Sequence, residues 1–451
     1  MNILVLNGSP KGENSITLQT VRFLEALHPE HTFRVLHVGQ RIKALEKDFS
    51  PAAEALAGAE LLLFSYPVYT FLAPSQLHRF FELLKASGVS VQGKYMTQIT
   101  TSKHFYDITA HRYVEDNCHD LGMNVLHGLS ADMDDLLSEQ GRRDAASFFS
   151  YTLFCIENNI REPEPLSCPA FVPVPVTVPE RASEKRSGDI VIVTDCSDEN
   201  PALSAMIARF RAVMPMPTRV VNLREYPFSG GCLGCFHCAV TGECVYRDGF
   251  DAFLRNTIQS SDAIVYAFSV RDHSMGALFK CYDDRQFCNG HRTVTMGMPM
   301  AYLIDGPYRQ EGNLQNVVEA RCQVGGNYLC GTATNEYDPN GEIDALAKKL
   351  SYALAKHYTQ PKNFWGVGGM KIFRDLIYTM RGMMKADHAF YRDHGQYDFP
   401  QKQVGTIAKM YLVGALLSSP KLQKAAGSKM TEGMLAPYKK ALEKAKTEKY
   451  I

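Results

Sequence analysis

The chain has 451 residues, 48 Lys and Arg against 48 Asp and Glu, and 45% hydrophobic residues. That is a globular composition with room for two or three domains, and its balanced charge without a recognisable basic module gives no support to nucleic-acid binding. No apolar run reaches the roughly 20 residues of a membrane span, and the start, MNILVLNGSPKG, lacks the basic n-region of a signal peptide, so the expected setting is the reducing cytoplasm.

In chain order, NILVLN reads as a strand, GSPKGENS as a loop and ITLQTVRFLEAL as a helix. FRVLHV is a second strand. AELLLFSYPVY is a third and leads through a loop to the helix SQLHRFFELL. KYMTQITT and MNVLHGL are the fourth and fifth strands. Apolar strands alternating with helices predict a parallel sheet covered on both faces. A Pro-rich stretch, REPEPLSCPAFVPVPVTVPERASEKRSG, then has linker composition.

Beyond it the pattern recurs. DIVIVTDCSDENPALSAMIARF repeats the first strand, loop and helix, and TRVVNL the second strand. SDAIVYAFSVRDHSMGALFKCYDD repeats the third strand and its helix, while TVTMGMPMAYLIDG and GGNYLCGT repeat the fourth and fifth strands. Two copies predict two similar domains, and the offset between them grows after the second strand, as an insertion would cause. The predicted organisation is a first domain over 1–160, a linker over 161–188, a second domain over 189–360 and a helical extension over 361–451.

The first loop, NGSPKGENS, couples a sharp turn at Gly8 to a helix N-terminus. Ser9, Asn14 and Ser15 offer polar groups and Lys11 a positive charge, which together suit a phosphate monoester. It matches neither the dinucleotide glycine pattern nor a Walker loop. Ligands of a doubly wound sheet sit off the carboxyl ends of the strands, where YPVYTF and TTSKHFYD offer aromatic and small polar residues for a flat ring. The corresponding loop of the second copy, TDCSDENPA, has no Lys and added carboxylates, so little or no phosphate binding is expected there.

The insertion carries GCLGCFHCAVTGEC, with Cys232, Cys235, Cys238 and Cys244 spaced C-x2-C-x2-C-x5-C. The first two spacings, which join the first three cysteines, are those of a bacterial ferredoxin run and suit a [4Fe–4S] cubane. Structural zinc, or thiols that hold no metal, remain alternatives. The other eight cysteines are scattered through the sequence and read as small buried residues.

NGSPKGENS with YPVY resembles the flavodoxin-like NADPH-dependent FMN reductases. The resemblance implies that Ser9, Lys11, Asn14 and Ser15 hold the FMN phosphate, and that Pro67, Val68, Tyr69 and Thr70 flank the ring, with Thr100, Thr101 and Ser102 beside it. Joined to the four-cysteine loop, the pattern resembles the iron-sulfur flavoproteins, oligomers in which the cluster of one subunit approaches the FMN of a neighbour; a homodimer is one assembly this allows. Here the flavin loops lie in the first copy and the cysteines in the second. The expected architecture is therefore two tandem flavodoxin-like sheets plus a C-terminal helical extension, a fused pseudo-dimer that keeps one site per half. The expected function is an FMN- and [4Fe–4S]-dependent oxidoreductase exchanging electrons with NAD(P)H or a ferredoxin-like protein, with no catalytic acid or base assigned. An NAD(P)H-dependent flavin or quinone reductase with a structural metal, and a non-catalytic electron carrier or redox sensor, are the alternatives.

From Lys362 onward there are 16 Lys and Arg against 7 Asp and Glu, a net of +9. Ile372, Phe373, Leu376, Ile377, Met380, Met383 and Met384 fall on one helical face, expected to pack on the domains or on a second chain rather than on a membrane.

Overall fold

The computed structural model describes residues 1–166, 168–180, 187–421, 435, 438–439 and 441–445. One compact unit spans Met1–Phe390 and a second spans Tyr391–Ile451.

The first unit contains two sheets. In the first, β1 (Asn2–Asn7), β2 (Thr32–Leu36), β3 (Leu61–Pro67), β4 (Tyr95–Ser102) and β5 (Asn124–Val125) lie in the order β2-β1-β3-β4-β5, and β6 (Leu129–Asp132) continues the fifth position by pairing with β4. The second sheet comprises β7 (Ile190–Thr194), β8 (Thr218–Asn222), β9 (Ala263–Ser269), β10 (Pro299–Asp305) and β11 (Tyr328–Thr334), in the order β8-β7-β9-β10-β11. Every pairing is parallel. Both orders read second, first, third, fourth, fifth, the flavodoxin-like arrangement. The inner strands β1, β3 and β9 are buried along nearly their whole length, as strands covered on both faces must be, whereas the edge strands β2 and β8 are only partly buried. The fifth strand of the first copy differs from the expectation: it breaks at Leu126–Gly128 into two short pieces.

The insertion is visible in the connections. From Leu36 to Leu61 is 25 positions, whereas from Asn222 to Ala263 is 41, and the cysteine loop occupies the extra length.

The two halves meet through equivalent helices. Ser75–Ser87 packs against Gly276–Arg285, and one hydrophobic cluster runs through both, joining Phe80, Phe81 and Leu84 to Met275, Phe279 and Tyr282. The contact is reciprocal. Asp284 Oδ2 accepts the backbone N–H of Ser75 at 2.8 Å, and Glu82 Oε1 accepts that of Ala277 at 2.8 Å. Each carboxylate therefore caps the other half's helix, the signature of an isologous contact.

The described part of the Pro-rich stretch is held at two points: the Val174 N–H donates to Asn335 O at 2.8 Å, just past β11, and the Thr177 N–H to Asn340 Oδ1 at 3.0 Å, in the first turn of helix Pro339–Lys356. Helix Phe364–Thr379 belongs to the same compact unit, with Ile377 fully buried and Phe373 packed 6.0 Å from Phe105 and 4.9 Å from His291 between ring centroids. Met384 is also fully buried, while Met383 is exposed. The second unit, described by itself, contains helix Val404–Leu417, which leaves Val404, Tyr411 and Leu412 exposed. Part of the basic tail lies outside the described residues; among those described, no helix is long and apolar enough to cross a membrane.

Candidate functional site

The first loop is organised from beneath by Asn7, the last residue of β1. Its buried amide donates to Gly12 O at 2.9 Å and accepts the Ser9 N–H at 3.1 Å, and Ser9 Oγ accepts the Lys11 N–H at 3.3 Å. Helix Ile16–Leu27 follows with Ser15 at its cap position, yet the Ser15 side chain makes no cap hydrogen bond. The first N–H groups of the helix therefore remain available to an anion. Ser9, Lys11, Ser15 and Thr17 face a common cavity; Asn14 is exposed and stands outside it.

The ring loop leaves β3 at Pro67. Thr70 and Phe71 have φ of 45° and 72°, a left-handed conformation that side chains other than glycine adopt at a cost. A buried pair from the second half holds it. Lys280 Nζ donates to Tyr69 O at 2.9 Å and to Thr70 Oγ1 at 2.6 Å, and it also pairs with Asp284, whose Oδ1 accepts from Thr70 Oγ1 at 2.9 Å. Lys280 and Asp284 are both fully buried. Burial pushes the Asp284 carboxyl up, against the opposing pull of Lys280.

On β4, Thr101 and Ser102 line the cavity, and Thr101 Oγ1 lies 2.7 Å from Thr17 Oγ1. Thr100 does not join them. It lies further from the carboxyl end of β4 than they do, and its hydroxyl is buried 2.7 Å from His111 Nε2, whose pKa burial lowers to about 4. Pro67, Val68, Tyr69, Thr70 and Phe71 complete this wall.

The cysteine loop of the second half covers the opening. Left-handed residues at Gly234, Phe236 and Gly242 fold it around the short helix His237–Thr241. Glycine is favoured at position 234: φ is +59°, and an added Cβ would lie 2.0 Å from Tyr69 Oη, so that the loop or the tyrosine would have to shift. Gln76 Nε2 donates to Cys232 O at 3.3 Å, and Lys11 Nζ lies over the Phe236 ring, 5.6 Å from its centroid. Arg285 anchors the base of the loop, donating to Gly230 O at 2.9 Å, pairing with Asp248 at 2.7 Å and stacking over Tyr246 and Phe250.

Cys232, Cys235, Cys238 and Cys244 are free thiols, and all four line the same cavity as the first-half loops. Its volume is about 370 Å³. Burial pushes the Cys232 thiol up and Cys238 to about 11, with neighbouring cysteines adding to both. Four clustered thiols of this kind ionise only against a cation, so the donor set suits a metal. Among the described residues the trio of possible ligand atoms found within 4.8 Å of one another is His28, Glu30 and His31, not any three of these cysteines. Tetrahedral zinc would draw its sulfurs to about 3.8 Å, so the layout is wider than a zinc site. The Gly234 N–H donates to Cys232 Sγ at 3.4 Å, a contact of the kind that tunes iron–sulfur centres. His237 is not part of the cavity wall.

The loop of the second half that corresponds to the first-half loop after β1 is closed by its own partners. Arg224 Nε donates to Asp195 O at 2.6 Å, Asn222 to Cys196 O at 2.9 Å and Asn200 to Ser269 Oγ at 2.9 Å. Asp195 is buried, which raises its pKa to about 6.

Sequence reasoning missed Thr17, Phe236 and the trio Lys280, Asp284 and Arg285. For Lys280 and Asp284 there was a signal: opposite charges four apart in a helix that otherwise reads as core.

This fold and site define a flavodoxin-like α/β protein built twice over. Residues 1–146 match the family model described as "Flavodoxin-like fold". An iron-sulfur flavoprotein of Archaeoglobus fulgidus is 27% identical over 173 residues, covering 36% of this chain and 78% of that protein. Among solved structures, an NAD(P)H:quinone oxidoreductase from Methanothermobacter marburgensis is 13% identical with a TM-score of 0.28, covering 37% of this chain and 99% of its own. An FMN-dependent NADH-azoreductase from Bacillus anthracis, in complex with FMN, is 14% identical with a TM-score of 0.27, covering 34% and 98%.

Proposed function

We propose that this chain is an oxidoreductase that holds FMN in its first half and a [4Fe–4S] cluster on Cys232, Cys235, Cys238 and Cys244 of its second, passing electrons between them. One observation carries the reading: the phosphate loop, the ring loop and all four cysteines line one cavity. The name of the archaeal relative supports the pairing of flavin with iron and sulfur.

When bound, FMN supplies one- and two-electron chemistry and the cluster one-electron chemistry. The rest is the work of this chain. Ser9, Lys11, Ser15 and the uncapped start of helix Ile16–Leu27 neutralise a phosphate. Lys280 and Asp284 hold the 69–71 backbone in the conformation that shapes the ring wall. Thr101 and Ser102 supply hydroxyls beside it, while Asn14 and Thr100 take no part. Gly234 lets the cysteine loop close onto Tyr69, and Leu233 and Phe236 shield the interior from water. The two halves of one chain bring together what the resemblance expects from two subunits. NAD(P)H or a ferredoxin-like protein is the donor or acceptor.

Steady-state turnover of the purified chain with NADH or NADPH and an artificial acceptor tests this reading, followed alongside by its absorption. Flavin bands over a broad iron–sulfur background, both bleaching under the donor, are expected. A chain purified without flavin bands sinks the reading, and turnover undiminished in Cys238→Ala would show that the cluster lies off the electron path.

A further inference from the structure

The cavity does not end at the contact between halves. It continues into the second half, between the sheet and helices Gly276–Arg285 and Gly312–Gly325, where Tyr266, Phe268, Phe279, Met300 and Tyr302 wall it. Met300 near the start of β10 and Asn327 just before β11 mark its edge. Both lie at the amino ends of their strands, whereas the closed loop of the second half follows the carboxyl end of β7.

The equivalent space in the first half is filled. Tyr66 Oη donates to Gln98 Oε1 at 2.5 Å and to Ala110 O at 3.0 Å, and Phe81 and Tyr113 pack there edge to face, 5.9 Å between centroids. In the repeat, Asp283 stands where the first half has Phe81, and valines 317 and 318 fall at the level of Tyr113. Two large aromatic side chains have become a carboxylate and a valine, which opens the chamber.

A carboxylate in place of a core phenylalanine is costly unless it is partnered. Asp283 is 5% exposed and lines the cavity; its Oδ1 lies 2.7 Å from Arg321 Nη2, but its Oδ2 has no hydrogen-bond partner among the described residues. The nearest further cation, Lys280 Nζ, is 3.8 Å from Oδ2. Arg321 keeps 27% of its side-chain accessibility although Asp283, Tyr266 and Tyr302 around it are buried, so that accessibility opens onto the cavity. The chamber thus presents an unused acceptor and a guanidinium with donors to spare, side by side between aromatic walls. Because the pair is neutral as a whole, a charged ligand would leave a buried charge uncompensated.

We propose that this chamber is a binding site for a neutral, planar cyclic amide, with its carbonyl toward Arg321, its adjacent N–H toward Asp283 Oδ2 and its ring against Tyr266, Phe268 and Tyr302. The site stands on residues of the second half and does not rest on the flavin and cluster assignment.

Isothermal calorimetry on the full chain as purified, with 2-quinolinone as the probe, tests it. The expected result is binding at one site. N-methyl-2-quinolinone, which keeps the ring and carbonyl but lacks the N–H, binds at least about tenfold more weakly, because Asp283 then loses its donor. Arg321→Gln weakens 2-quinolinone by a similar factor. Absence of 2-quinolinone binding, equal affinity for the two probes, or unchanged affinity in Arg321→Gln overturns the proposal. Should Arg321→Gln fail to fold, the comparison of the two probes on the unaltered chain still decides. The heat of binding needs no turnover, so the result is independent of whether electrons pass between flavin and cluster.

Discussion

The ammonium of Lys280 donates to the carbonyl oxygen of Tyr69 at 2.9 Å, reaching from the second half of the chain into the ring loop of the first. Its partner Asp284 caps the helix that follows that loop. Replacing Lys280 with Met leaves Asp284 buried without its cation, which should cost about 3–5 kcal/mol of stability in urea denaturation. The double variant Lys280→Met/Asp284→Leu should recover part of the loss, since no buried charge then remains. Equal stability of Lys280→Met and the native chain would contradict the role given to this pair.

Lys11 supplies the only side-chain cation of the phosphate loop itself. Its replacement by Ala should weaken FMN binding about ten- to a hundredfold, the worth of a hydrogen bond to a charged group. Titration of flavin-free protein followed by flavin fluorescence measures this. Asn14→Ala, at an exposed position outside the cavity, should leave the affinity nearly unchanged.

Gly234→Ala forces a Cβ to 2.0 Å from Tyr69 Oη in a left-handed backbone. The cysteine loop must lift to accommodate it. Iron content should fall to a small fraction of the native value, while FMN affinity falls far less, as measured by metal analysis and flavin titration of the same preparation.

The contact between halves carries a pH dependence. His273 lies 3.1 Å from Asp120 and 3.0 Å from Glu311. Burial opposes its charge, but hydrogen bonds to those carboxylates outweigh this and raise its pKa to about 10, against 6.5 for a free histidine. A group that gains proton affinity on folding stabilises fully below its unfolded pKa, and the contribution fades as pH rises through the folded value. His273→Gln should therefore cost about 1–2 kcal/mol near pH 6 and progressively less between pH 6.5 and 10. A stability difference that grows with rising pH would contradict the assignment.

Much of the fold was legible because its signals are local. NILVLN and AIVYAFS are apolar runs of strand length, the first followed at once by Gly8 and the second, after Val270, by the polar run RDHS. The repeat followed from aligning them, and the strand order of both sheets agrees with it. That the four cysteines and the lysine of the first loop sit in different copies was also readable. What was not readable depends on contacts distant in sequence. Asn14 and Thr100 have the right residue types, but Asn14 is exposed on the turn Gly12–Asn14 and Thr100 lies deeper in β4, its hydroxyl beside His111. Lys280 and Asp284 read as an ordinary charged pair on a helix until the two equivalent helices are seen packed together. The chamber beside Asp283 is set by substitutions in two separate helices, and neither alone announces a void.

The most direct test of the central claim, one flavin site and one cluster site facing a shared cavity, is the cofactor content of the chain purified without oxygen. Iron, acid-labile sulfide, zinc and FMN are quantified per chain. The account predicts about four iron, about four sulfide and about one FMN, with no zinc. Two FMN per chain, or zinc in place of iron on the four cysteines, would contradict it.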